Sequence, residues 1–453
     1  MNDPNGLIYW KGAYHLFYQY NPNEPSHRAI HWGHAVSHDL VHWQHLPLAL
    51  APTPGGPDAD GIWSGCAVDD HGIPTLVYTG TSPQNVCLAT GSDDLLHWEK
   101  HPGNPVIPGP PFELAEAAHE QFRDPYVWQE DGGWQMVIGS KIAGQGGAIL
   151  RFHSNDLVHW EYQGILMAGD AARREPFWTG AMWECPNYFE VGGKKALVFS
   201  VQSERNELLY PVYYVGDECG LTFIPMQGNI LVHGGSFYAP LVMRAENGRL
   251  LMWGWLQEKR SPDEFIRAGW AGVMSLPLEI SLTPEEKLCI EPVAELQSLR
   301  RKHQHFENLA LTPDFPGLPE GIQGDSLEIE AVFEPGPDAE FGLKLLASLD
   351  GQEQTRVVYA AGLGRLSVDC SASSLNSKTD RTVHDAPLSL ETDRFVRLHI
   401  YLDHSVLEVF ANRQTCLVCR AYPTSPDSIG VDLFALRGET SLISLDIWRI
   451  DSI

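Results

Sequence analysis

The chain has 453 residues, which is long for a single hydrophobic core, so two domains are expected. Hydrophobic residues make up 43% of the sequence and charged residues 20%, as in globular proteins, and the apolar runs fall far short of the roughly 20 residues of a membrane helix. The formal net charge of -27 argues against nucleic acid or an anionic membrane as a partner, because polyanions would be repelled. It weakly favours a neutral substrate, although acidic residues also simply keep a surface soluble.

The eight cysteines are too few and too scattered for a disulfide framework. Cys416 and Cys419 have C-x-x-C spacing, but the residues between them indicate a strand, where positions three apart face opposite ways, so no metal or redox role is expected. The chain opens on its most informative motif and no secretory signal is visible. We therefore expect a cytoplasmic protein, unless a targeting segment precedes the given sequence.

A glycine followed by a short apolar strand recurs along the first 290 residues. Successive glycines are 60, 61, 60 and 55 residues apart, at Gly12, Gly72, Gly133, Gly193 and Gly248. Short strands and turns repeated at this period are typical of the four-stranded blades of a β-propeller. The sequence predicts an all-β protein with a five-bladed β-propeller catalytic domain over residues 1–290.

The position nine residues before each glycine carries the functional signal. These positions hold Asp3, Trp63, Asp124, Glu184 and Ala239, so three of the five are acidic. Because the first strands of propeller blades line a central channel, equivalent positions would bring the three carboxylates together. Aspartate is also common where turns end, but three acidic residues in register favour a shared site.

A second repeated phrase, Asp-Leu-x-His-Trp, occurs at residues 39–43, 94–98 and 156–160. We interpret it as structural. Its aspartate would satisfy turn amides and its tryptophan would pack between blades, bracing an outer hairpin.

The sequence changes character after the propeller. Residues 292–299 indicate a short amphipathic helix that begins at a proline, within a linker expected over 291–305. From 306 to 453 the strands alternate without the sixty-residue repeat, for example at 327–333, 396–402 and 406–410, which predicts a β-sandwich. No group of residues there demands chemistry, so this domain is interpreted as ancillary.

Two carboxyl groups that face one glycosidic bond can divide the work of hydrolysis. Asp3 lies in a tight Asn-Asp-Pro-Asn-Gly segment, where Asn2 and Asn5 would hold it ionised as a nucleophile. Glu184 lies among tryptophan, cysteine and proline, which solvate charge poorly and would favour the protonated form of an acid.

Asp124 follows Arg123, whose guanidinium would keep the neighbouring carboxylate charged. Its expected role is to accept hydrogen bonds from sugar hydroxyls and to stabilise positive charge on the ring. The residues expected to bind the sugar are Asn2, Gln19, His27, Trp32, Trp63, Ser64, Arg123 and Tyr238.

These segments resemble glycoside hydrolase family 32, the family of invertases, sucrose-6-phosphate hydrolases and exo-fructanases. Residues 1–6 are similar to its nucleophile motif, 122–125 to its transition-state-stabiliser motif and 183–186 to its acid/base motif. The segments 19–22, 32–35, 63–65, 270–274 and 403–410 are also similar to family segments. The resemblance covers essentially the whole chain and implies a five-bladed propeller followed by a sandwich. It also implies hydrolysis of terminal β-D-fructofuranosides with retention, through a covalent fructosyl-enzyme and without a metal or cofactor.

The sequence departs from the family pattern at one position of the sugar pocket. Many members carry a Trp-Gly-Asn segment where this chain reads Ser-His-Arg-Ala, so His27 stands in place of the tryptophan. Family chains also usually carry residues before the nucleophile motif that help to close the propeller. Either the first blade closes differently here, or the natural protein begins before Met1.

Several readings of the function stay open at this point. Sucrose is the simplest substrate, a short fructan is an alternative, and fructosyl transfer to another sugar would use the same residues. A phosphate on the glucose would need a basic group, for which Arg28 is a candidate. A propeller that binds glycans without cutting them is disfavoured, because all three carboxylates are present.

Overall fold

A computed structural model describes residues 1–81, 83–114, 121–130, 132–319, 321–390 and 394–451. These residues form two compact units. The first contains residues 1–231, 238–257 and 269–293, and the second contains residues 232–237, 258–268 and those from 294 onward. Within the described ranges, no helix is long and apolar enough to cross a membrane.

The first unit carries five sheets, and in the first four the strands pair in chain order. The first sheet contains β1 (Pro4–Trp10), β2 (Ala13–Tyr20), β3 (His31–Ser37) and β4 (Trp43–Leu50). The second contains β5 (Ile62–Asp70), β6 (Ile73–Gly80), β7 (Asn85–Gly91) and β8 (Trp98–Lys100). The third contains β9 (Phe122–Glu130), β10 (Gly133–Ile142), β11 (Gly146–Ser154) and β12 (Trp160–Ala168).

The fourth and fifth sheets continue the series. The fourth contains β13 (Met182–Val191), β14 (Lys194–Gln202), β15 (Leu208–Cys219) and β16 (Thr222–Ile230). The fifth contains β17 (Phe237–Arg244), β18 (Leu250–Leu256), β19 (Val273–Met274), β20 (Leu278–Leu282) and β21 (Leu288–Pro292). In it β18 pairs with both β20 and the short β19.

Four of the five recurring glycines lie in turns between the first two strands of a sheet, whereas Gly133 is the first residue of β10. Trp10 pairs with Ala13, which leaves a two-residue loop with φ of 49° at Lys11 and 90° at Gly12. The loop of the second sheet repeats this geometry, with φ of 52° at His71 and 91° at Gly72. Positive φ at both central residues is the hairpin turn that matches strand twist, and it explains the glycine.

The Asp-Leu-x-His-Trp phrase has the structural role predicted for it. Asp39 Oδ1 accepts hydrogen bonds from the amides of Val41 and His42 at 3.0 and 2.8 Å. The indole of Trp43 contacts that of Trp253 in the fifth sheet edge-on, with ring centroids 5.9 Å apart. The phrase therefore closes the turn before an outer strand and packs one sheet against another.

The second unit is a β-sandwich of two sheets. Its strands are β22 (Arg300–Leu311), β23 (Ser326–Pro335), β24 (Glu340–Ala347), β25 (Thr355–Ala360), β26 (Arg365–Asp369), β27 (Val383–Pro387), β28 (Val396–Asp403), β29 (Val406–Ala411), β30 (Thr415–Arg420), β31 (Gly430–Arg437) and β32 (Thr440–Ile450). One sheet has the strand order β22-β32-β23-β28-β29-β30 and the other β27-β26-β25-β24-β31. Their inner faces share one core, which includes Ile329, Phe333, Phe341, Leu343 and Val409.

The helical segments of the described chain are short. They are α1 (Pro262–Ala268) and two 3-10 helices, Ala294–Leu299 and Ala361–Leu363. The linker expected up to residue 305 is shorter than predicted, because β22 already begins at Arg300. That strand lies at a sheet edge and its first residues are polar and largely exposed, so the alternation that marks a strand is missing from its sequence.

Candidate active site

Irregularities in the first strands aim the acidic side chains. The β1, β5, β9 and β13 ladders all shift register near the equivalent position, which is between Asn5 and Ile8 in β1 and between Glu184 and Asn187 in β13. Asp124 itself has φ of 63°, and its amide donates to Thr79 Oγ1 at 2.8 Å. Bulges of this kind bend a strand and turn a side chain out of the regular alternation.

Asp3, Asp124 and Glu184 line one pocket of about 420 Å³. This is the convergence that the sequence predicts from equivalent positions in three repeats. Asp124 is only 5% exposed, so the pocket holds carboxyl groups that have lost most of their water. Like charges at such a site disfavour full ionisation, and at least one carboxyl tends to keep a proton.

Asp3 is held by side chains of two other strands. Its Oδ2 accepts hydrogen bonds from Ser64 Oγ at 2.6 Å and from Gln19 Nε2 at 3.3 Å. Gln19 is held in turn by His27, whose Nε2 lies 2.9 Å from Gln19 Oε1. Asn5 is fully buried and hydrogen-bonds backbone groups, so the prediction that it orients the Asp3 carboxylate is wrong.

The pKa of Asp3 is raised from 3.8 to about 7, mainly by burial; the Ser64 hydrogen bond lowers it, and the charges of Asp124 and Glu184 add to the rise. Burial thus opposes the ionised form that the sequence predicts for Asp3. The sequence showed the neighbouring asparagines but not the burial.

Glu184 occupies a strongly polar environment. Its Oε1 accepts from Arg123 Nε at 3.0 Å and from Arg123 Nη2 at 2.8 Å, and its Oε2 accepts from Tyr238 OH at 2.5 Å. The expectation of a poorly solvated carboxyl is wrong, because a buried guanidinium and a phenol replace water around it.

Asp124 has a weaker link to its sequence neighbour than predicted. The nearest approach is 3.9 Å, between Arg123 Nε and Asp124 Oδ2, while Asp124 Oδ2 accepts from the Cys185 amide at 3.0 Å. Burial raises the pKa of Asp124 to about 6, and the Arg123 charge opposes this without reversing it. Arg123 therefore hydrogen-bonds to Glu184, whereas its closest approach to Asp124 is a longer ion-pair contact.

Most of the predicted sugar contacts lie in the pocket wall, namely Asn2, Gln19, His27, Trp63, Arg123 and Tyr238. Two do not. Trp32 is fully buried and donates through its indole to the Trp63 carbonyl at 3.2 Å, so its predicted contact with a sugar is wrong. Ser64 is buried and is not part of the pocket wall; its hydroxyl donates to Asp3 Oδ2 at 2.6 Å and accepts from Gln19 Nε2 at 2.7 Å.

Other wall residues were not identified from the sequence. They are Gln84, Gln121, Gln202, Asn206, Leu208 and Trp255. A signal existed for Trp255, since it lies sixteen residues after Ala239 just as Gln19 lies sixteen after Asp3. This position lies one or two residues before the end of the second strand of each repeat, and the same spacing gives Thr79, Ser140 and Ser200.

A second cavity of about 400 Å³ shares His27, Trp63 and Gln84 with the pocket. Its wall also contains Arg28 and Asp60, one of each charge. The His27 and Trp63 rings meet edge-on, with centroids 5.5 Å apart, where the two cavities adjoin. A molecule bound at the carboxylates has room to extend in this direction.

Comparison with known protein families identifies the family of this chain. Residues 1–292 match the model of the glycosyl hydrolases family 32 N-terminal domain, and residues 295–449 match that of the family 32 C-terminal domain. The chain belongs to glycoside hydrolase family 32. It is thus a glycoside hydrolase, and the resemblance seen in its sequence motifs is confirmed.

Curated family 32 relatives match over nearly the full chain. A sucrose-6-phosphate hydrolase of Zymomonas mobilis is 34% identical over 479 residues, covering 99% of this chain and 90% of the relative. A raffinose invertase of Escherichia coli is 33% identical, covering 99% of this chain and 92% of the relative.

Solved family 32 structures share the architecture. Fructan 1-exohydrolase IIa of Cichorium intybus superposes with a TM-score of 0.88 at 28% identity, covering 100% of this chain and 95% of its own. An all-β fold with four-stranded sheets and a C-terminal sandwich is therefore confirmed for this family 32 chain.

Proposed function

We propose that this enzyme is a retaining β-fructofuranosidase that removes the terminal non-reducing fructose of sucrose, giving glucose and fructose. One observation carries the proposal: Asp3 and Glu184 line the same pocket, and Asp124 lies with them. Two carboxyl groups at one bond are what most glycoside hydrolysis requires, and membership of family 32 supports retention. Relatives and neighbours named as invertases, sucrose-6-phosphate hydrolases and fructan exohydrolases support this substrate class.

In the first step, a carboxylate oxygen of Asp3 attacks the anomeric carbon of fructose while Glu184 protonates the departing glycosidic oxygen. The bond to the leaving sugar breaks and a fructosyl ester of Asp3 forms. In the second step, Glu184 accepts a proton from water, which attacks the same carbon and releases Asp3. Two inversions give net retention.

Activity depends on which carboxyl groups of the pocket carry a proton. The reaction needs Asp3 ionised and Glu184 protonated, whereas burial raises the pKa of Asp3 and Arg123 hydrogen-bonds to Glu184. The charges of Asp124 and Glu184 are among the causes that raise the pKa of Asp3, so the ionisation of Asp3 depends on the charges of its neighbours. Tyr238, hydrogen-bonded to Glu184 Oε2, orients that carboxyl for either role.

Asp124 is proposed to accept hydrogen bonds from hydroxyls of the fructose ring and to stabilise the positive charge that develops on it. Its position is fixed by backbone contacts rather than by a flexible partner, because Cys185 N donates to it and Thr79 Oγ1 holds its own amide. A fixed carboxylate stabilises charge without reorganisation during the step.

We also propose that the five sheets of the first unit close into a five-bladed β-propeller. The amino group of Met1 donates to the carbonyl of Ala271 at 2.9 Å, and Trp43 of the first sheet contacts Trp253 of the fifth. These contacts join the beginning of the unit to its last sheet, as ring closure requires. Closure would hold the three carboxylates around one axis.

The nucleophile is tested by Asp3→Asn, with Asp217→Asn as control because Asp217 is 61% exposed on β15. We expect sucrose turnover by the Asp3 variant to fall by roughly four orders of magnitude or more, as for other lost nucleophiles. The control should match the parent enzyme. Turnover by Asp3→Asn within tenfold of the parent would remove Asp3 from this role.

Glu184→Gln tests the acid. With sucrose we expect a loss of roughly 10²–10⁴ in rate, whereas an aryl fructofuranoside with a good leaving group should lose much less in the first step. An equal loss for both substrates would contradict the assignment.

Sugar analysis of reactions with sucrose, sucrose-6-phosphate, raffinose, inulin and levan would rank the substrates and separate hydrolysis from fructosyl transfer.

A further inference from the structure

Two histidines and an aspartate of the second unit converge at one point on its surface. His303 and His305 lie on β22, and Asp446 lies on the paired strand β32. Asp446 Oδ1 is 2.7 Å from His303 Nε2 and 2.7 Å from His305 Nδ1. The three candidate ligand atoms lie within 4.8 Å of one another.

The strand pairing builds this arrangement. His305 stands directly opposite Asp446 in the β22–β32 ladder. The register shifts between Arg301 and Gln304, where Lys302 has φ of 43°, so β22 carries an irregularity beside His303. Such a bulge re-aims side chains, and both imidazoles reach the same carboxylate oxygen.

Neighbouring side chains orient the two rings. The His303 ring stacks on the Trp448 indole with centroids 4.8 Å apart and an interplanar angle of 7°. The far nitrogen of His305, Nε2, lies 3.8 Å from Glu307 Oε2. At 3.8 Å the Glu307 carboxylate acts on His305 as a nearby negative charge, which favours a cation at this site, rather than as a hydrogen-bond partner.

We propose that His303, His305 and Asp446 form a binding site for a divalent transition-metal ion of the zinc type. Two imidazole nitrogens and one carboxylate oxygen are ligands that Zn²⁺ prefers, at about 2.0–2.2 Å, and water would fill the fourth position. An ion can enter from solvent, because the His303 and His305 side chains are 47% and 45% exposed. On binding, each ligating nitrogen presents a lone pair in place of its N–H, and the proton moves to the other ring nitrogen or to water.

A second cluster in the same unit shows why the first is distinctive. Glu328, Glu330 and His399 are also close enough to hold an ion. There, however, the Arg300 guanidinium donates to Glu328 Oε1 at 2.7 Å and pairs with Glu330, so a cation already fills the space. Among the described residues, Asp446 forms ion pairs with only the two histidines.

The proposed ion would act on structure rather than on sugar chemistry. None of the three ligands lines the pocket that holds Asp3 and Glu184. The ion would join the edge strand β22 to β32 and replace two hydrogen bonds to one oxygen with three bonds to one ion. Since an ion that binds only the folded state stabilises it, zinc should raise the melting temperature.

The experiment uses the full chain after dialysis against a chelator. Calorimetric titration with Zn²⁺ should show one equivalent that His305→Ala loses, or binds at least about tenfold more weakly. His159→Ala is the matched control, because His159 is also exposed and is 2.8 Å from Asp156, but that pair has only two ligand groups. The control should retain the equivalent. A parent chain without it, or a His305→Ala variant that keeps it at full affinity, would overturn the proposal.

A second measurement separates metal binding from a merely structural hydrogen bond. Asp446→Asn keeps an oxygen near both imidazoles but removes the charge, so Zn²⁺ should bind it at least about tenfold more weakly and raise its melting temperature less than that of the parent. Unchanged affinity and an unchanged zinc-induced shift would overturn the site. Circular dichroism and sucrose hydrolysis, both expected to match the parent, check that each variant is folded.

Discussion

Ser64 is the main partner that favours the ionised form of Asp3 against its burial. The Ser64 hydroxyl donates at 2.6 Å to the oxygen that also accepts from Gln19. Because a hydrogen bond to a charged group contributes about 1.5–3 kcal/mol, this single contact is large enough to move the acid limb of the pH profile. Ser64 is buried behind Asp3, so its substitution changes the pocket wall little.

We therefore predict that Ser64→Ala shifts the acid limb of kcat/KM to higher pH by about one unit. Loss of the hydroxyl removes the interaction that lowers the pKa of Asp3, so a smaller fraction is ionised at pH 6 than in the parent. The ratio of kcat/KM at pH 8 to that at pH 6 should rise. A uniform loss of activity at all pH values would show that Ser64 only packs.

His27 connects the nucleophile network to the cavity beside it. It contacts Gln19 on one side and the Trp63 ring on the other, at the place where the two cavities adjoin. A larger aromatic side chain there would replace a polar link with an apolar wall. The effect should fall on the sugar beyond the fructose more than on the fructose itself.

We expect His27→Trp to change the ratio of activity on sucrose to activity on longer fructans by severalfold. Steady-state kcat/KM on sucrose, raffinose and inulin would measure it, with His27→Gln as the variant that keeps a hydrogen bond to Gln19. If both variants give the parent ratio, position 27 does not select the leaving group.

A strand of the third sheet approaches the backbone of the fourth sheet closely beside the proposed acid. A Cβ added to Gly139 on β10 would lie 2.3 Å from the backbone carbonyl of Trp183, the residue before Glu184. The backbone of a strand cannot move aside as easily as the end of a flexible side chain. The glycine is therefore required by the approach of β13, and it sets where Glu184 stands.

Gly139→Ala should lower the free energy of unfolding by about 1–3 kcal/mol, as overpacking typically does. It should also reduce kcat, because β13 must move to relieve the clash. Gly109→Ala is the control, since its added Cβ would meet nothing closer than the Gln84 carbonyl at 3.9 Å. Chemical denaturation and sucrose turnover measure the two effects, and a Gly139 variant indistinguishable from the control would contradict this reading.

The two units contain buried carboxyl groups whose pKa values are shifted in opposite directions. In the first unit, the pKa of Asp3 is raised to about 7, mainly by burial. In the second, Glu353 is lowered to about 2: burial opposes this, but hydrogen bonds from the amides of Thr424 and Ser425 and from the Ser428 hydroxyl outweigh it. An acid whose pKa is raised by folding lowers the stability of the folded state once it ionises. An acid whose pKa is lowered by folding adds stability when it is ionised.

We predict that Asp3→Asn stabilises the chain increasingly as pH rises from about 4 to about 7, and by a constant amount above that. In the parent, Asp3 ionises at 3.8 when unfolded but only near 7 when folded, so the cost grows across this window to the order of 2–4 kcal/mol. Urea titrations at pH 5 and pH 8 measure the difference. An equal stability difference at both pH values would contradict the raised pKa.

Glu353→Gln provides the contrast and should destabilise the second unit. Its contribution is fully present above the unfolded value of 4.5 and is lost as pH falls towards 2, so the loss should be the same at pH 5 and pH 8. Together the two variants separate the cost of the proposed catalytic pocket from the stability of the sandwich.

The sixty-residue period predicted the sheets and the convergence of Asp3, Asp124 and Glu184, because a repeat places equivalent side chains at equivalent points of a fold. The cytoplasmic location stays a prediction. The predicted sugar contact of Trp32 was wrong, because a pattern of residue types does not show which face of a strand is covered. The end of the linker was also predicted wrongly, because the pattern does not show where an exposed edge strand begins.

The sequence by itself determined the all-β repeat, the family and the identity of the three carboxyl groups. Only the tertiary structure decided which partner each carboxyl takes. Arg123 follows Phe122 and precedes Asp124, yet its guanidinium binds Glu184, and Asp3 binds Ser64 rather than its neighbouring asparagines. The physical reason is that hydrogen bonds form over about 3 Å between groups from different sheets. Spacing along a chain fixes a residue's place in a repeat but not a distance of that size.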